Sequence, residues 1–80
     1  MEEIKRIAVL GSGCKSCHAL YENAAEAVRR LGLNVEVEYI TELRQLAEYG
    51  IMSTPALAVN GRQVSAGRVL KTEEIERLLR

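Results

Sequence analysis

The spacing of apolar residues changes twice in the first half of the chain, and this restricts the fold more than any other feature. The unbroken apolar run Ile7 to Leu10 ends at a Gly-Ser-Gly breaker and predicts a buried strand. From Cys14 to Leu31 the apolar positions recur at helical spacing, which is typical of one buried face of a helix. The segment from Asn34 to Ile40 then alternates, which predicts a strand with one solvated face. A strand, a helix and a strand in this order predict a parallel pair joined by a right-handed crossover.

The second half of the chain predicts a short helix, a hairpin and a last helix. Asn60-Gly61 is a strong two-residue hairpin turn because both of its positions need positive φ. The expected order is therefore β-α-β-α-β-β-α, which is an α/β fold with a four-stranded mixed sheet covered by helices. The expected elements are a helix at Glu42 to Tyr49, strands at Ala56 to Val59 and Arg62 to Ser65, and a helix from Thr72 with Ile75, Leu78 and Leu79 buried.

Length and charge exclude several classes of protein. Eighty residues are too few for two folded domains, so we expect a single domain over residues 1–80. Eleven basic side chains balance eleven acidic ones, so no broad positive field is available to attract nucleic acid or anionic lipid. No apolar run approaches the about 20 residues that cross a membrane, and the first residues are acidic where a signal peptide is basic. We therefore expect a cytoplasmic protein with no nucleic-acid and no membrane partner.

Cys14 and Cys17, the only cysteines in the sequence, lie three positions apart at the junction of the first predicted strand and helix. Two cysteines cannot form the dense disulfide framework of a small secreted domain. Two sulfurs with this spacing on a first helical turn can approach bonding distance. Cys14 lies at the positive end of the helix dipole, which favours its thiolate form. The pair therefore predicts thiol–disulfide chemistry.

The asymmetry between the two sulfurs predicts a mechanism. We expect the Cys14 thiolate to attack a substrate disulfide, and the partly covered Cys17 to release the reduced substrate by attacking the Cys14 sulfur. Lys15 adds an exposed positive charge beside the nucleophile. No cofactor is expected, since Gly11 and Gly13 are too few for a dinucleotide-binding fingerprint. The expected partners are disulfide-containing protein substrates and an upstream protein reductase or small thiol that donates electrons.

With Cys14-Lys15-Ser16-Cys17 after the first strand and Thr54-Pro55 before the third, the chain resembles the thioredoxin/glutaredoxin superfamily, especially its small glutaredoxin-like redox-active disulfide proteins. The resemblance runs over nearly the whole chain and implies a thioredoxin-like fold with oxidoreductase and electron-transport activity. It also implies a cis peptide bond at the proline, which in that family flanks the cysteines and offers backbone hydrogen bonds to the substrate. The candidate substrate-contacting residues are Gly13, Lys15, Ser16, Thr54 and Pro55.

The sequence also departs from the pattern of that superfamily. The Trp that precedes the motif in thioredoxins is Gly13 here, and the first strand lacks the buried acid that thioredoxins use for proton transfer. The Pro-Tyr pair between glutaredoxin cysteines is replaced by Lys15-Ser16. Ala66-Gly67 resembles a reduced version of the Gly-Gly turn that glutaredoxins place beside glutathione. These departures leave both an upstream protein reductase and a small thiol as candidate electron donors.

The cysteine pair has other interpretations. A Cys-x-x-Cys loop after a first strand can also hold Cu(I) or Zn²⁺ through soft thiolates, which makes a metal-binding module the main alternative function. That fold expects a hairpin directly after the first crossover and a final strand, where this sequence predicts helices. Cys14 to His18 also matches the C-x-x-C-H pattern of haem attachment, but that pattern implies export, which the sequence does not predict. His18 is either a surface residue or a protonated group that helps hold a thiolate.

Overall fold

The computed structural model describes residues 4–13, 15–51 and 53–79, and the side chain of Leu43 lies outside the description. Along these ranges, four strands and three helices follow one another in the predicted order β-α-β-α-β-β-α. The strands are β1 (Ile7–Leu10), β2 (Val37–Ile40), β3 (Ala56–Val59) and β4 (Arg62–Ala66), and the helices are α1 (Lys15–Leu31), α2 (Leu43–Glu48) and α3 (Thr72–Leu79).

The strands form a mixed sheet in the order β2-β1-β3-β4. Strands β1 and β2 are parallel and are connected through α1, whereas β3 and β4 form an antiparallel hairpin, so both predicted pairings are confirmed. Strand β1 also pairs with β3, in an antiparallel register that places Leu10 opposite Ala56. Since β1 has a partner on each side and helices above and below, all of its residues are buried.

Helices cover both faces of this sheet. On one face, Leu20 of α1 and Ile75 of α3 pack against side chains of β1 and β3. On the other face, Leu46 of α2 packs on a surface rich in alanine. Side chains alternate across a strand, so successive residues of β1 belong to opposite clusters. Over the described ranges, no helix combines the length and the apolar character that crossing a bilayer requires.

Apart from shifts of one residue at the ends of α2 and β4, two details differ from the sequence-based prediction. Strand β2 begins at Val37 rather than Asn34, because Val37 already pairs with Ile7, the first residue of β1. Leu78 was expected in the buried stripe of α3, but it is 47% exposed, so this prediction is wrong. Ile75 and Leu79 lie four residues apart on one line of the helix and are buried as expected. Among the described residues of α3, only those on this line are buried in the core.

The turn between β3 and β4 also fastens the hairpin to the segment before β1. Asn60 and Gly61 have positive φ, 54° and 80°, as the sequence predicts. The Asn60 Oδ1 accepts hydrogen bonds from the backbone N–H of Lys5 at 2.7 Å and of Arg6 at 3.1 Å. The Asn60 N–H in turn donates to the Arg6 carbonyl at 2.7 Å. Asn60 therefore combines a left-handed backbone with a side-chain acceptor.

Replacing Asn60 with glycine is expected to lower the free energy of unfolding by about 1 kcal/mol, because glycine accepts the positive φ but provides no acceptor. Asn60→Asp is the matched control, since aspartate keeps an acceptor oxygen and also tolerates left-handed backbone. Urea unfolding followed by circular dichroism measures both variants. A glycine variant as stable as the wild type would show that these side-chain hydrogen bonds contribute nothing.

Candidate redox site at the start of helix α1

The resolving cysteine of the predicted mechanism lies where strand β1 passes into helix α1. Strand β1 ends at Leu10, a short loop follows, and α1 begins at Lys15. Cys17 is on the first turn of α1 and has an exposed fraction of 0%. Because it precedes Leu20 on the buried face of the helix, its side chain points toward the sheet rather than toward solvent. Cys14 lies outside the described residues, and its predicted role as nucleophile stays a prediction.

The sheet register brings the predicted substrate loop to this junction. Leu10 pairs with Ala56, so the residue after β1 lies opposite the residue before β3, which is Pro55. The Thr54–Pro55 peptide bond is cis, as the resemblance implied. Pro55 is buried and its carbonyl accepts a hydrogen bond from the Gly67 N–H at 2.8 Å. Two segments about forty positions apart in sequence therefore meet at one end of β1 and β3.

Gly67 also lies close to Ser53, in the segment before the proline. It has a φ of 72°, which favours glycine, and a Cβ at this position would lie 3.3 Å from the Cβ of Ser53. The turn after β4 therefore packs closely on the loop that leads into β3. Ala66-Gly67 resembles a glutathione-contacting turn in sequence, whereas the described contacts of Gly67 are with the proline loop.

The other candidate substrate-contacting residues lie on the surface around this junction. Gly13, Lys15, Ser16 and Thr54 are exposed. Gly13 has a φ of 85°, which glycine adopts without strain, and a Cβ on it would meet no atom within 4 Å. An open groove on this surface is lined by Gly13, Lys15, His18, Ala19 and Glu22.

His18 lies on the exposed side of α1. Its Nε2 lies 3.9 Å from a Glu22 carboxylate oxygen on the next turn of α1, and its side chain is 67% exposed. Its ring centroid is 6.1 Å from that of Tyr39 and 6.5 Å from that of Tyr21. The two tyrosine rings stack on each other at 5.3 Å. These contacts favour the interpretation of His18 as a surface residue that packs on aromatic neighbours.

Gly11 lies in the candidate site, although its sequence pattern predicted no functional role. It is buried, and a Cβ at this position would overlap the Cys17 Sγ and would lie 3.9 Å from the Cα of Pro55. The Gly11 backbone therefore separates the cysteine from the proline loop. The signal in the sequence was a glycine directly after a buried strand and three positions before a Cys-x-x-Cys motif. The reason for a glycine at this position is visible only from the packing of α1 on the sheet.

The described part of the chain brings together no group of three or more His, Cys or Glu side chains that could hold a metal ion. It does bring together the buried Cys17 thiol, the Gly11 backbone and the loop with the cis-proline Pro55, next to an exposed surface. This arrangement can shield one sulfur from solvent and large molecules while the neighbouring loop remains open to them.

Comparison with known proteins agrees with the family resemblance of the sequence. Residues 5–80 match a family model described as a thioredoxin domain. A thioredoxin from Methanothermobacter thermautotrophicus is 43% identical over 74 residues, which cover 92% of this chain and 96% of the relative. A thioredoxin from Methanocaldococcus jannaschii is 34% identical over 74 residues, which cover 92% of this chain and 85% of the relative. The family-model match extends over all the strands and helices described above.

Proposed function

The chain belongs to the thioredoxin family and is a thiol–disulfide oxidoreductase, and we propose that it acts through a dithiol mechanism with Cys14 as nucleophile and Cys17 as resolving residue. The observation that carries this assignment is the complete burial of Cys17 on the first turn of α1. A buried sulfur cannot reach the disulfide of a protein substrate. It is well placed to attack a sulfur three residues away in its own chain.

The proposed reaction has two steps, and each exchanges one sulfur–sulfur bond for another. In the first, the Cys14 thiolate attacks a substrate disulfide, a Cys14–substrate bond forms, and one substrate sulfur leaves as a thiolate. In the second, the Cys17 thiolate attacks the Cys14 sulfur, the Cys14–Cys17 bond forms, and the second substrate sulfur leaves with the electron pair. The proton lost by Cys17 is taken up by the departing thiolate or by water. The substrate gains two electrons and the protein loses two.

Protein disulfides are the proposed substrates. Gly13, Lys15, Ser16 and Thr54 form an exposed surface around the buried thiol, and a surface of this kind admits a segment of another protein. Together with Pro55, they are the proposed substrate contacts. The oxidised protein returns to the dithiol form by accepting two electrons from an upstream protein reductase or a small thiol. We propose one domain over residues 1–80 for this activity, in the role of electron carrier.

Equilibration in graded thiol–disulfide buffers tests the dithiol mechanism directly. The metal-free protein is quenched with an alkylating agent, and the mass of each cysteine adduct is measured. We expect a reversible intramolecular disulfide with a midpoint of roughly −180 to −270 mV, the range spanned by thioredoxins, glutaredoxins and disulfide isomerases. A pair that never closes reversibly contradicts the mechanism. Thiols that resist alkylation until a chelator is added would point instead to the Cu(I)- or Zn²⁺-binding module, which none of the relatives supports.

A further inference from the structure

The backbone of Gly11 occupies a restricted position between the sheet and helix α1. Its N–H donates to the Ile40 carbonyl at 3.0 Å, which continues the pairing of β1 with β2 by one residue. Its φ is not positive, so an alanine at this position meets no conformational penalty of its own. The surrounding atoms, rather than the backbone conformation, therefore explain why position 11 is a glycine.

Cys17 fills the space that a side chain at position 11 needs. A Cβ on Gly11 would overlap the Cys17 Sγ and would lie 2.9 Å from the Cys17 Cβ, closer than such atoms approach in proteins. The next nearest heavy atom is the Pro55 Cα at 3.9 Å, which is an ordinary van der Waals contact. The conflict therefore involves one side chain, that of the cysteine.

The backbones of Gly11 and Cys17 cannot move apart easily. Gly11 is held by the hydrogen bond to Ile40, and the residue before it is paired with Ala56 of β3. Cys17 belongs to a helix whose next buried residue, Leu20, lies in the core with an exposed fraction of 0%. A methyl group at position 11 is therefore relieved chiefly by a displacement or rotation of the Cys17 side chain.

We propose that Gly11 is a positioning residue for the second step of thiol–disulfide exchange, because its missing side chain leaves the space in which the Cys17 sulfur is held. This inference rests on the proposed dithiol mechanism. In that step the Cys17 thiolate must lie in line with the bond between Cys14 and the substrate sulfur, which breaks as the Cys14–Cys17 bond forms. A sulfur displaced by a methyl group loses that alignment, whereas the attack of Cys14 on the substrate does not use it.

Gly11→Ala is the variant that tests the proposal, with a dithiobis-nitrobenzoate as the substrate disulfide. Each of the two steps releases one coloured aryl thiolate, so stopped-flow absorbance resolves them. We expect the second release to slow by roughly 100-fold, the loss associated with a misplacement of about 1 Å, while the first release keeps the wild-type rate. A loss of stability alone does not separate the two steps in this way.

A double-variant cycle keeps the test valid if the alanine variant folds poorly. Cys17→Gly removes both atoms that conflict with a Cβ at position 11, so Gly11→Ala in that background meets nothing closer than the Pro55 Cα at 3.9 Å. We expect Gly11→Ala to lower the melting temperature by roughly 5–20 °C in the wild-type background. In the Cys17→Gly background we expect little change. An equal loss in both backgrounds overturns the proposal, because the conflict would then lie elsewhere.

The outcomes for Gly11 and for the dithiol mechanism are distinct. A wild-type protein that releases neither thiolate overturns the dithiol mechanism. A wild-type protein that releases both, together with a folded Gly11→Ala variant that releases both at wild-type rates, overturns only the role of Gly11.

Discussion

Cys17→Ser is expected to accumulate as a stable mixed disulfide with its substrate, with release of the substrate slowed by about 10³-fold or more. The first step still proceeds, because Cys14 is intact. The second step loses its nucleophile, since a serine hydroxyl does not ionise near neutral pH. An external thiol attacks the mixed disulfide far more slowly than a sulfur held in the same chain. Mass spectrometry of the protein after mixing with a disulfide-bonded protein measures the adduct.

The comparison variants for this result are Cys14→Ser and Cys17→Ala. Cys14→Ser is expected to form no adduct, because the remaining sulfur is fully buried. Cys17→Ala is expected to trap the same adduct as Cys17→Ser without placing a polar hydroxyl in a buried site. An adduct on Cys17 in the Cys14→Ser protein, with none on Cys14 in the Cys17→Ser protein, would reverse the assigned roles.

Leu20→Ala is expected to reduce the free energy of unfolding by about 2–5 kcal/mol, because it removes a fully buried side chain and leaves a cavity between α1 and the sheet. A chain of this length has a total stability of about 4–12 kcal/mol, so the variant is expected to be partly unfolded at 37 °C. Denaturant unfolding followed by circular dichroism measures the loss.

Leu78→Ala is the matched control for this core substitution. It makes the same chemical change in a helix, but Leu78 is 47% exposed. Its expected cost is below about 1 kcal/mol, since little apolar surface returns to water and no cavity forms. Equal losses for the two variants would contradict the position of α1 on the sheet.

The elements of this fold could be predicted from sequence because their signals are local. The apolar run of β1 and the Asn60-Gly61 turn each specify a structure through neighbouring residues, and both are confirmed. The beginning of β2 could not be located in this way. The alternation of side chains continues back to Asn34, but a strand also needs a partner, and β1 offers pairing only from Ile7 onward. Strand limits therefore depend on the partner strand as well as on the pattern.

The exposure of Leu78 has a similar cause. Helical spacing places it near the apolar side of α3, but the width of the buried stripe depends on how the helix lies against α1 and the sheet. The sequence contains no direct measure of that angle. An eight-residue helix at the end of the described chain buries Ile75 and Leu79 and leaves Leu78 at the margin.

The candidate site could be predicted only in part for a related reason. The motif Cys-x-x-Cys identifies a chemistry by its spacing, and Thr54-Pro55 was identified by resemblance. The role proposed for Gly11 depends on a close approach between a strand end and a helix, which are brought together by packing rather than by sequence order. From the sequence, this glycine is only part of a breaker and one of two glycines that are too few for a dinucleotide-binding fingerprint.

The pairing of Leu10 with Ala56 also determines where this chain can change its length. A residue added between Pro55 and β3 moves the proline loop past the end of β1 by about 3.3 Å and turns its side chains to the opposite face of the sheet. A residue added in the connection before β2 leaves that pairing in place, because β2 begins at the opposite edge of the sheet. Insertions and deletions are therefore expected to be tolerated at the edge of the sheet where β2 begins, and to disrupt the candidate site at the edge where β1 ends and β3 begins.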